Sequence, residues 1–524
     1  MSNIIIGGGI TGLYLAYEFS KKVKPEYITL IEKTNRLGGR IYSCEEHNYD
    51  IGASRFNKNH KLLINLINDL GLSNKIKKIP TKKHYFINGS YVKSEKELLN
   101  KFNINKYSSI KQIWKKICKL VNNLDSTYLD TISIEELINN LMGSKICKLL
   151  KYTTGYGSKF SNTKASTSLI ALKRDYGILG LSFYILDGGM EQIIEKLEKI
   201  LIEKGVNILL NHELNKIDKQ TKHIIVNNSV QKKISYNNLF ICTDINALNN
   251  ISSIGIPKDT LSSVKLSPLM RVYAMYPKIN GKVWFNDVSK LITDTKMQFI
   301  IPINKKTGLI MISFSTDSNS DYWNNFSSNK KLSNAISKEL KNIFTDKVIP
   351  EPFFIKSHYW QNGVHNWTFK SNIKKVYSDI EYLESDNIYI LGELFSNYHA
   401  WIEGGLDMAI NIIDKVKISK TNSKQSVVSE NKKTNNDNLK KISLDELKKH
   451  NTTKSLWTVI QDRKSKIKFV YDLTEWQYKH PGGKIPIMSV AGKDATEKFY
   501  NMSAHPIDKI EKKILPGYRI GILI

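Results

Sequence analysis

The stretch NIIIGGGITGLYLAYEF, residues 3–19, is the most informative about the fold of this 524-residue chain. Three isoleucines predict a short buried strand, and Gly7, Gly9 and Gly12 follow it in the spacing G-x-G-x-x-G before an apolar helix. Such glycines permit a tight turn, the close approach of a pyrophosphate and close packing of the helix on the strand. The phosphates would then lie at the positive end of the helix. The stretch predicts a dinucleotide-binding βαβ unit.

The residues that follow extend this prediction. A second apolar strand, YITLIE at 27–32, ends in Glu32, about 20 residues after the last glycine, where an acid accepts hydrogen bonds from a ribose. Only seven of the 78 basic residues are Arg, yet Arg36, Arg40 and Arg55 lie within one short segment. Because Arg is otherwise scarce, this cluster indicates positions that need a planar, bidentate donor.

The segment EKTNRLGGR, residues 32–40, resembles the second glycine motif of the flavin amine oxidase superfamily, Glu-x(3)-Arg-x-Gly-Gly-Arg, in which the last Arg helps to hold the FAD phosphates. Four further stretches resemble landmarks of the same superfamily, in order: YDIGASRF at 49–56, the loop beside the flavin ring; LDGGM at 186–190, the return into the FAD domain; IYILGE at 388–393, the last strand; and WIEGG at 401–405, the start of the final helix. The resemblance covers residues 3–415.

This resemblance implies an α/β fold, with a Rossmann-like FAD-binding domain and an interleaved α+β substrate domain. The FAD-binding domain would comprise residues 1–58, 180–250 and 376–415, and the substrate-binding, helical domain residues 59–179 and 251–375. The implied FAD-binding residues are Gly7, Gly9, Ile10, Thr11, Gly12, Glu32, Lys33, Arg40, Gly52, Ala53, Ser54, Arg55, Leu214, Glu393, Trp401 and Ile402.

Two stretches are similar to one branch of the superfamily. GASRF at 52–56 is similar to the Gly-Pro-Met-Arg and Gly-Ala-Met-Arg loops of L-amino-acid oxidases and tryptophan 2-monooxygenases, where the Arg binds the substrate carboxylate. NYHAWI at 397–402 resembles their Asn-x-His-Gly-Trp-Ile. The resemblance implies that Arg55 binds a carboxylate, that the Ala400 carbonyl meets the amino group, and that Trp401 forms a pocket wall. The alternative is that Arg55 neutralises an FAD phosphate or pairs with an acid on a helix.

The implied reaction transfers a hydride from the carbon that bears the amine to the flavin, and water then hydrolyses the imine. The amine must be neutral, so a base or a desolvated pocket is needed. His365 is a candidate for that base, although a structural histidine is the alternative. Oxidases of the superfamily usually hold a Lys beside the flavin, and Arg271 occupies the corresponding stretch. This departure predicts a slow reaction with oxygen.

Residues 442–524 resemble cytochrome b5, an α+β domain, in the stretches VYDLTEW at 470–476, HPGG at 480–483 and AGKDATEKF at 491–499. The resemblance implies that His480 and His505 are the two axial ligands of the iron of haem b. Two histidines fill both axial positions and leave no open site for oxygen chemistry. A b5-like fold without haem is the alternative. Residues 416–441, rich in Ser, Thr, Asn and Lys, predict a flexible linker.

Composition excludes several other classes. The formal charge of +29 comes mostly from Lys spread along the chain, without a recognition motif, so we do not expect a nucleic-acid partner. Four scattered cysteines exclude a disulfide framework. The sequence offers neither a signal peptide nor a membrane span, which predicts a soluble, intracellular protein. Its abundance of Lys and Asn is typical of AT-rich genomes such as those of protists and large DNA viruses.

The sequence thus predicts an FAD-dependent oxidoreductase that oxidises an amine, most simply an L-amino acid, and passes single electrons through a fused haem domain to an acceptor protein, or else reduces oxygen. Three alternatives stay open. They are a polyamine or protein-lysine oxidase with an acidic pocket, a desaturase-like enzyme with a long apolar tunnel, and a non-enzymatic electron carrier.

Overall fold

The computed structural model describes residues 2–161, 163–228, 230–416, 440–453, 455–463, 465–478, 480, 484–501, 510 and 515–524. The chain divides between residues 420 and 421 into two compact units, and we describe each by itself. Most of the predicted linker, and the predicted haem ligand His505, lie outside the described residues.

The larger unit contains the predicted dinucleotide-binding sheet. Its five strands are all parallel and lie in the order Asn207–Leu209, Ile28–Ile31, Asn3–Ile6, Asn238–Ile241 and Ile388–Ile390. Strands from three distant parts of the chain therefore meet in one sheet. The helices Ile10–Phe19, Glu191–Lys204 and Ile402–Lys415 pack together over one apolar core. The predicted helix that begins after Trp401 is confirmed, and a helix also follows residues 186–190.

A second sheet, of seven strands, forms the other half of this unit. Its order is Phe354–Trp367, Val264–Met275, Leu309–Thr316, Phe299–Asn304, Lys290–Thr293, Lys83–Ile87 and Ser90–Val92. The neighbouring helices run over Glu95–Lys101, Ile110–Val121, Ser126–Leu129, Ile134–Met142, Ser144–Thr154, Ser158–Ser161 and Ala165–Arg174. Ser94, Ser109 and Ser133 cap the N-termini of three of these helices. The helices and the sheet share a core around Trp114 and Phe160.

Smaller elements complete the larger unit. Three small sheets comprise Glu213–Asp218, His223–Asn228 and Val230–Ser235; Ser43–Cys44 and Tyr49–Asp50; and Phe56–Asn57, Phe183–Leu186 and Ile76–Lys78. The remaining α-helices are Lys61–Asp69, Ile245–Asn249, Lys258–Leu261, Ser318–Asn324, Asn329–Ile343 and Ile373–Tyr382. Short 3-10 helices cover Pro25–Tyr27, Ser73–Lys75, Leu383–Asp386 and Glu393–Phe395.

The smaller unit is a small α+β fold. Its strands lie in the order Lys440–Ile442, Arg519–Leu523, Lys468–Asp472, Ser455–Gln461 and Asn451–Thr452, and Lys493–Asp494 pairs with Ser455–Gln461. Its helices are Leu444–Lys449, Lys484–Met488 and Thr496–Tyr500, with 3-10 turns at Trp476–Tyr478 and Leu515–Tyr518. Ser443 caps the first helix by accepting a hydrogen bond from the Glu446 N–H. Leu456, Phe469 and Phe499 belong to its buried core.

Two further observations bear on the sequence predictions. All four cysteines are free thiols. Within the described ranges, every helix is too short or too polar to cross a bilayer.

Candidate functional site

A cavity of about 1470 Å³ lies between the dinucleotide-binding sheet and the seven-stranded sheet. This volume exceeds the ~300–1,000 Å³ that is typical of sites for one small ligand, so it has room for a cofactor and a substrate together. All the residues predicted to contact FAD line the cavity except Gly12. Of the residues predicted to contact the substrate, Arg55, Ala400, Trp401 and Arg271 line it, and His365 does not.

The glycine loop forms one end of this cavity. A Cβ at Gly12 would overlap the carbonyl oxygen of Gly7, so this glycine allows the helix to lie against the strand. A Cβ at Gly9 would meet no described atom within 4 Å, because Gly9 faces the open cavity. The helix Ile10–Phe19 has no acidic residue in its first turn and no side-chain cap. Its N–H groups are thus available to an anion, which is the arrangement that a pyrophosphate requires.

Glu32 and Arg36 fix the loops around this end of the cavity. The buried Glu32 carboxylate accepts hydrogen bonds from the Gly8 N–H at 2.7 Å and from the Thr34 N–H at 2.9 Å. Arg36 donates to the backbone carbonyls of Leu37 and Gly39 at 3.0 and 2.6 Å. Glu32 lines the cavity and keeps lone pairs for a ribose, whereas Arg36 shapes the loop that precedes Arg40.

Arg40 and Glu393 meet across 353 residues of sequence. Arg40 Nη2 donates to Glu393 Oε2 at 2.9 Å, and Arg40 Nη1 donates to the Gly363 carbonyl at 3.1 Å. Glu393 also accepts from the His365 ring at 2.6 Å and from the Ala400 N–H at 2.6 Å. Burial opposes ionisation of Glu393, but Arg40 and His365 hold the pKa of its carboxyl well below the usual range. The pair is therefore a fixed, charged feature of the cavity wall.

His365 has a different place from the one predicted. Its ring is fully buried, Nδ1 donates to Glu393, and Nε2 accepts from the Ile245 N–H at 3.2 Å. Both ring nitrogens are thus engaged, and the side chain lies outside the cavity lining. These contacts support the alternative of a structural histidine, because both ring nitrogens are already bonded within the protein, and His365 positions Glu393.

Arg55 lies among aromatic rings at the other end of the cavity. Its guanidinium carbon lies 5.2 Å from the ring centre of Phe183 and 5.8 Å from that of Trp401, and Nη2 donates to the Tyr156 hydroxyl. Trp401 stacks on Phe183 with 6.3 Å between ring centres. Within the described part of the chain, no carboxylate forms an ion pair with Arg55, so the alternative of a helix acid as its partner is not supported. Arg55 is thus a positively charged group on the cavity wall that could bind an anionic ligand.

Arg271 supports the loop that carries Arg55. It is buried, and it donates to the Asp50 carbonyl at 2.9 Å and to Ser54 Oγ at 3.1 Å. Its Nε has no partner among the described residues, and its guanidinium carbon lies 5.2 Å from the ring centre of Phe314. Arg271 thus lies in the cavity wall and also holds residues 50–54 in place.

Ala400 adopts a left-handed backbone conformation, with φ of 70°. This conformation costs a residue with a side chain ~1–2 kcal/mol relative to a right-handed one. We expect Ala400→Gly to raise the free energy of unfolding by about 1 kcal/mol, because glycine removes the steric clash. Urea unfolding followed by flavin fluorescence measures this. Ala409→Gly, inside the helix Ile402–Lys415, is the control and should lower the free energy of unfolding. Lower stability of Ala400→Gly would contradict the expectation.

The structure also brings lysines to the cavity that the sequence did not single out. Lys159 is buried, lines the cavity and donates to Asn366 Oδ1. Burial lowers the pKa of Lys159 to about 8, so this amine can exchange a proton near neutral pH. Lys83 and Lys290 line the cavity as well. With 71 lysines in the chain (78 basic residues less seven Arg), no single one stands out in the sequence.

The described part of the smaller unit contains one of the two predicted haem ligands. His480 is half-buried, its backbone N–H donates to the Trp476 carbonyl at 2.9 Å, and its ring centre lies 6.3 Å from that of Trp476. Trp476 packs against the core that contains Phe499. An imidazole beside an apolar, aromatic cluster is a fitting donor for haem iron.

These features define a two-cofactor flavohaem protein, with a dinucleotide cavity in one unit and a b5-like fold in the other. The sequence profile described as flavin containing amine oxidoreductase matches residues 10–411, and the chain belongs to this family. The profile of the cytochrome b5-like heme/steroid binding domain matches residues 443–524. The cofactors are accordingly FAD and haem, and the chain is an oxidoreductase.

Solved structures share the fold of the larger unit. Putrescine oxidase bound to putrescine superposes with a TM-score of 0.62 at 16% identity, over 79% of this chain and 99% of that chain. Cyclohexylamine oxidase from Brevibacterium oxydans gives 0.61 at 17% identity, over 79% and 99%. At these identities the likeness concerns the fold alone.

Curated relatives match a short part of the chain. A Delta(8)-fatty-acid desaturase of Borago officinalis is 46% identical over 81 residues, 16% of this chain and 17% of its own length. A nitrate reductase of Betula pendula is 40% identical over 89 residues, 17% of this chain and 9% of its own length. The chain spans less than a fifth of the length of these curated relatives.

Gly9 offers a clean test of the cofactor end of the cavity. Its backbone φ of −72° suits alanine, and the added Cβ would meet no described atom of the protein. We expect Gly9→Ala to weaken FAD binding by about 10-fold or more, because the methyl group occupies the path of the phosphate, while apoprotein stability stays unchanged. Flavin titration of the apoprotein and thermal unfolding measure both. Gly517→Ala, also at an open position, is the control; equal FAD affinity in both variants would contradict the assignment.

Proposed function

We propose that this protein oxidises L-amino acids, and that Arg55 binds the substrate carboxylate. The observation that carries the proposal is the state of Arg55: a cation on the cavity wall, surrounded by Phe183, Trp401 and Tyr156, with no acid paired to it in the described ranges. A carboxylate is the ligand that a guanidinium binds with two parallel hydrogen bonds, and such bonds are strongest away from water.

FAD supplies, when bound, an acceptor for the hydride that leaves the carbon bearing the amine. The protein orients the substrate: Arg55 holds its carboxylate, and the rings of Trp401 and Phe183 exclude water around it. We assign the cofactor end to the loop of Gly7 and Gly9 and to the pair Arg40–Glu393. Arg40 balances phosphate charge there, and Glu393 accepts hydrogen bonds from cofactor hydroxyls. The fixed Ala400 peptide borders the substrate position.

The smaller unit suggests the fate of the electrons. A haem with two His ligands takes one electron at a time and has no open position for a substrate. We propose that His480 and His505 would hold the haem, which would supply a one-electron acceptor for electrons taken from the amino acid and would donate them to an acceptor protein. Oxygen is the competing acceptor.

The substrate is tested by adding an L-amino-acid mixture, and separately spermine, to the oxygen-free protein while the flavin absorption is recorded. Bleaching by the amino acids alone supports the proposal. Bleaching by spermine alone would replace it with polyamine oxidation, and an unbleached flavin with both would favour the lipid or non-enzymatic alternatives. The charge of the wall argues against a polyamine, since Lys83 and Lys290 share the cavity with Arg55.

A further inference from the structure

Two lysines lie side by side on neighbouring strands that border the cavity. The strands Lys83–Ile87 and Lys290–Thr293 run in parallel, and Lys83 and Lys290 are register partners at their first positions. Both residues line the cavity. Like charges on neighbouring strands destabilise a sheet. The pair is therefore unfavourable for folding unless an anionic ligand binds beside it.

Neither lysine is neutralised by an acid of the described chain. No carboxylate in those ranges forms an ion pair with Lys83 or Lys290, and Lys290 Nζ instead lies 4.6 Å from the ring centre of Phe299. Glu95 also lines the cavity, but its carboxylate accepts hydrogen bonds from the Tyr85 hydroxyl at 3.3 Å and the Ile110 N–H at 3.0 Å. Glu95 is thus engaged at the start of a helix.

The positive charge of Arg55 affects the pKa values of both lysines. Burial lowers the pKa of Lys290 well below its usual range, and the charges of Arg55 and Lys83 lower it further. The side chain of Lys83 is exposed. Desolvation by the residues packed around it still lowers its pKa; Glu95 opposes that effect and Arg55 adds to it. Both shifts disfavour the charged forms of the two lysines, and an anion bound beside them would favour those forms. A single carboxylate on Arg55 would leave the two lysines without a partner.

We propose that the substrate is a dicarboxylic amino acid, whose α-carboxylate binds Arg55 and whose side-chain carboxylate binds Lys83 and Lys290. The inference rests on the proposed function in its use of Arg55 for the α-carboxylate. It adds the chemical class of the side chain. A side-chain carboxylate beside Lys83 and Lys290 would favour their protonated forms, which neither an uncharged amino-acid side chain nor a polyamine would do.

Flavin reduction by acidic amino acids and by their amides tests the proposal. We expect kcat/KM for L-glutamate or L-aspartate to exceed that for L-glutamine or L-asparagine by about 10-fold or more, because a hydrogen bond between charged groups changes affinity by that factor. Lys290→Met should remove the preference for the acids over the amides. Lys282→Met, at an exposed position outside the cavity, is the control and should keep it.

Binding without turnover gives an independent test. Glutarate and butyrate cannot be oxidised as amino acids, and both can be titrated while the flavin spectrum is recorded. Glutarate should bind about 10-fold or more tightly than butyrate, and Lys83→Met and Lys290→Met should each reduce the difference. Equal binding of the two acids, or amides oxidised as well as the acids, would overturn the dicarboxylic substrate and leave L-amino-acid oxidation intact. Bleaching by spermine alone would overturn both proposals.

Discussion

Arg55→Met is expected to lower kcat/KM for L-amino acids by about 10²–10³-fold, the largest effect that we predict for the larger unit. Two charge-assisted hydrogen bonds to a carboxylate contribute ~3–4 kcal/mol in a water-poor cavity, and each ~1.4 kcal/mol corresponds to a factor of ten. Anaerobic flavin reduction at varied substrate concentration measures the change.

The controls separate charge, geometry and folding. Arg55→Lys keeps the charge but loses the planar fork, so we expect an intermediate rate. Lys58→Met removes an exposed cation three residues away and should leave the rate as it is. Retention of full activity by Arg55→Met would contradict the assignment, provided that FAD remains bound. Arg55→Met should also reduce oxidation of a simple amine far less than that of an amino acid, since a simple amine has no carboxylate for Arg55 to bind.

His480→Ala is expected to abolish the spectrum of a haem with two His ligands, since one axial ligand is removed. Flavin reduction by substrate should continue, because FAD binds in the other unit. The absorption and resonance Raman spectra of the purified variant measure the haem, and anaerobic substrate addition measures the flavin.

His450→Ala is the matched control within the same unit. His450 stacks on Trp457 with 3.4 Å between ring centres, and its Nδ1 bonds Ser455 Oγ at 2.6 Å. Removal of the His450 ring affects local packing and should leave the haem spectrum unchanged. An unaltered haem spectrum in His480→Ala would rule out His480 as a ligand.

Local signals in the sequence were sufficient to predict the structural elements at the cofactor end of the site. The strand, the glycines, the helix and Glu32 lie within 30 consecutive residues, and each element carries its own pattern. The helix that begins after Trp401 was predictable from the family resemblance of residues 401–405. Family resemblance supplied the two cofactors.

Contacts between distant parts of the chain were not predictable. Arg40 and Glu393 are 353 residues apart, and the role of His365 follows only from where Glu393 and the Ile245 N–H lie. Lys83 and Lys290 become neighbours through a strand pairing that spans some 200 residues, and nothing in their local sequence marks them among so many lysines. Such pairings depend on tertiary packing, which a single sequence does not encode in a periodic pattern.

The electron path from substrate to haem is tested most directly by rapid anaerobic mixing of the protein with L-amino acids, with the flavin and haem absorption bands followed together. We expect the flavin to bleach first and the reduced haem band then to appear at a rate independent of protein concentration. A haem that stays oxidised beside fully reduced flavin would contradict the electron path from substrate through FAD to haem.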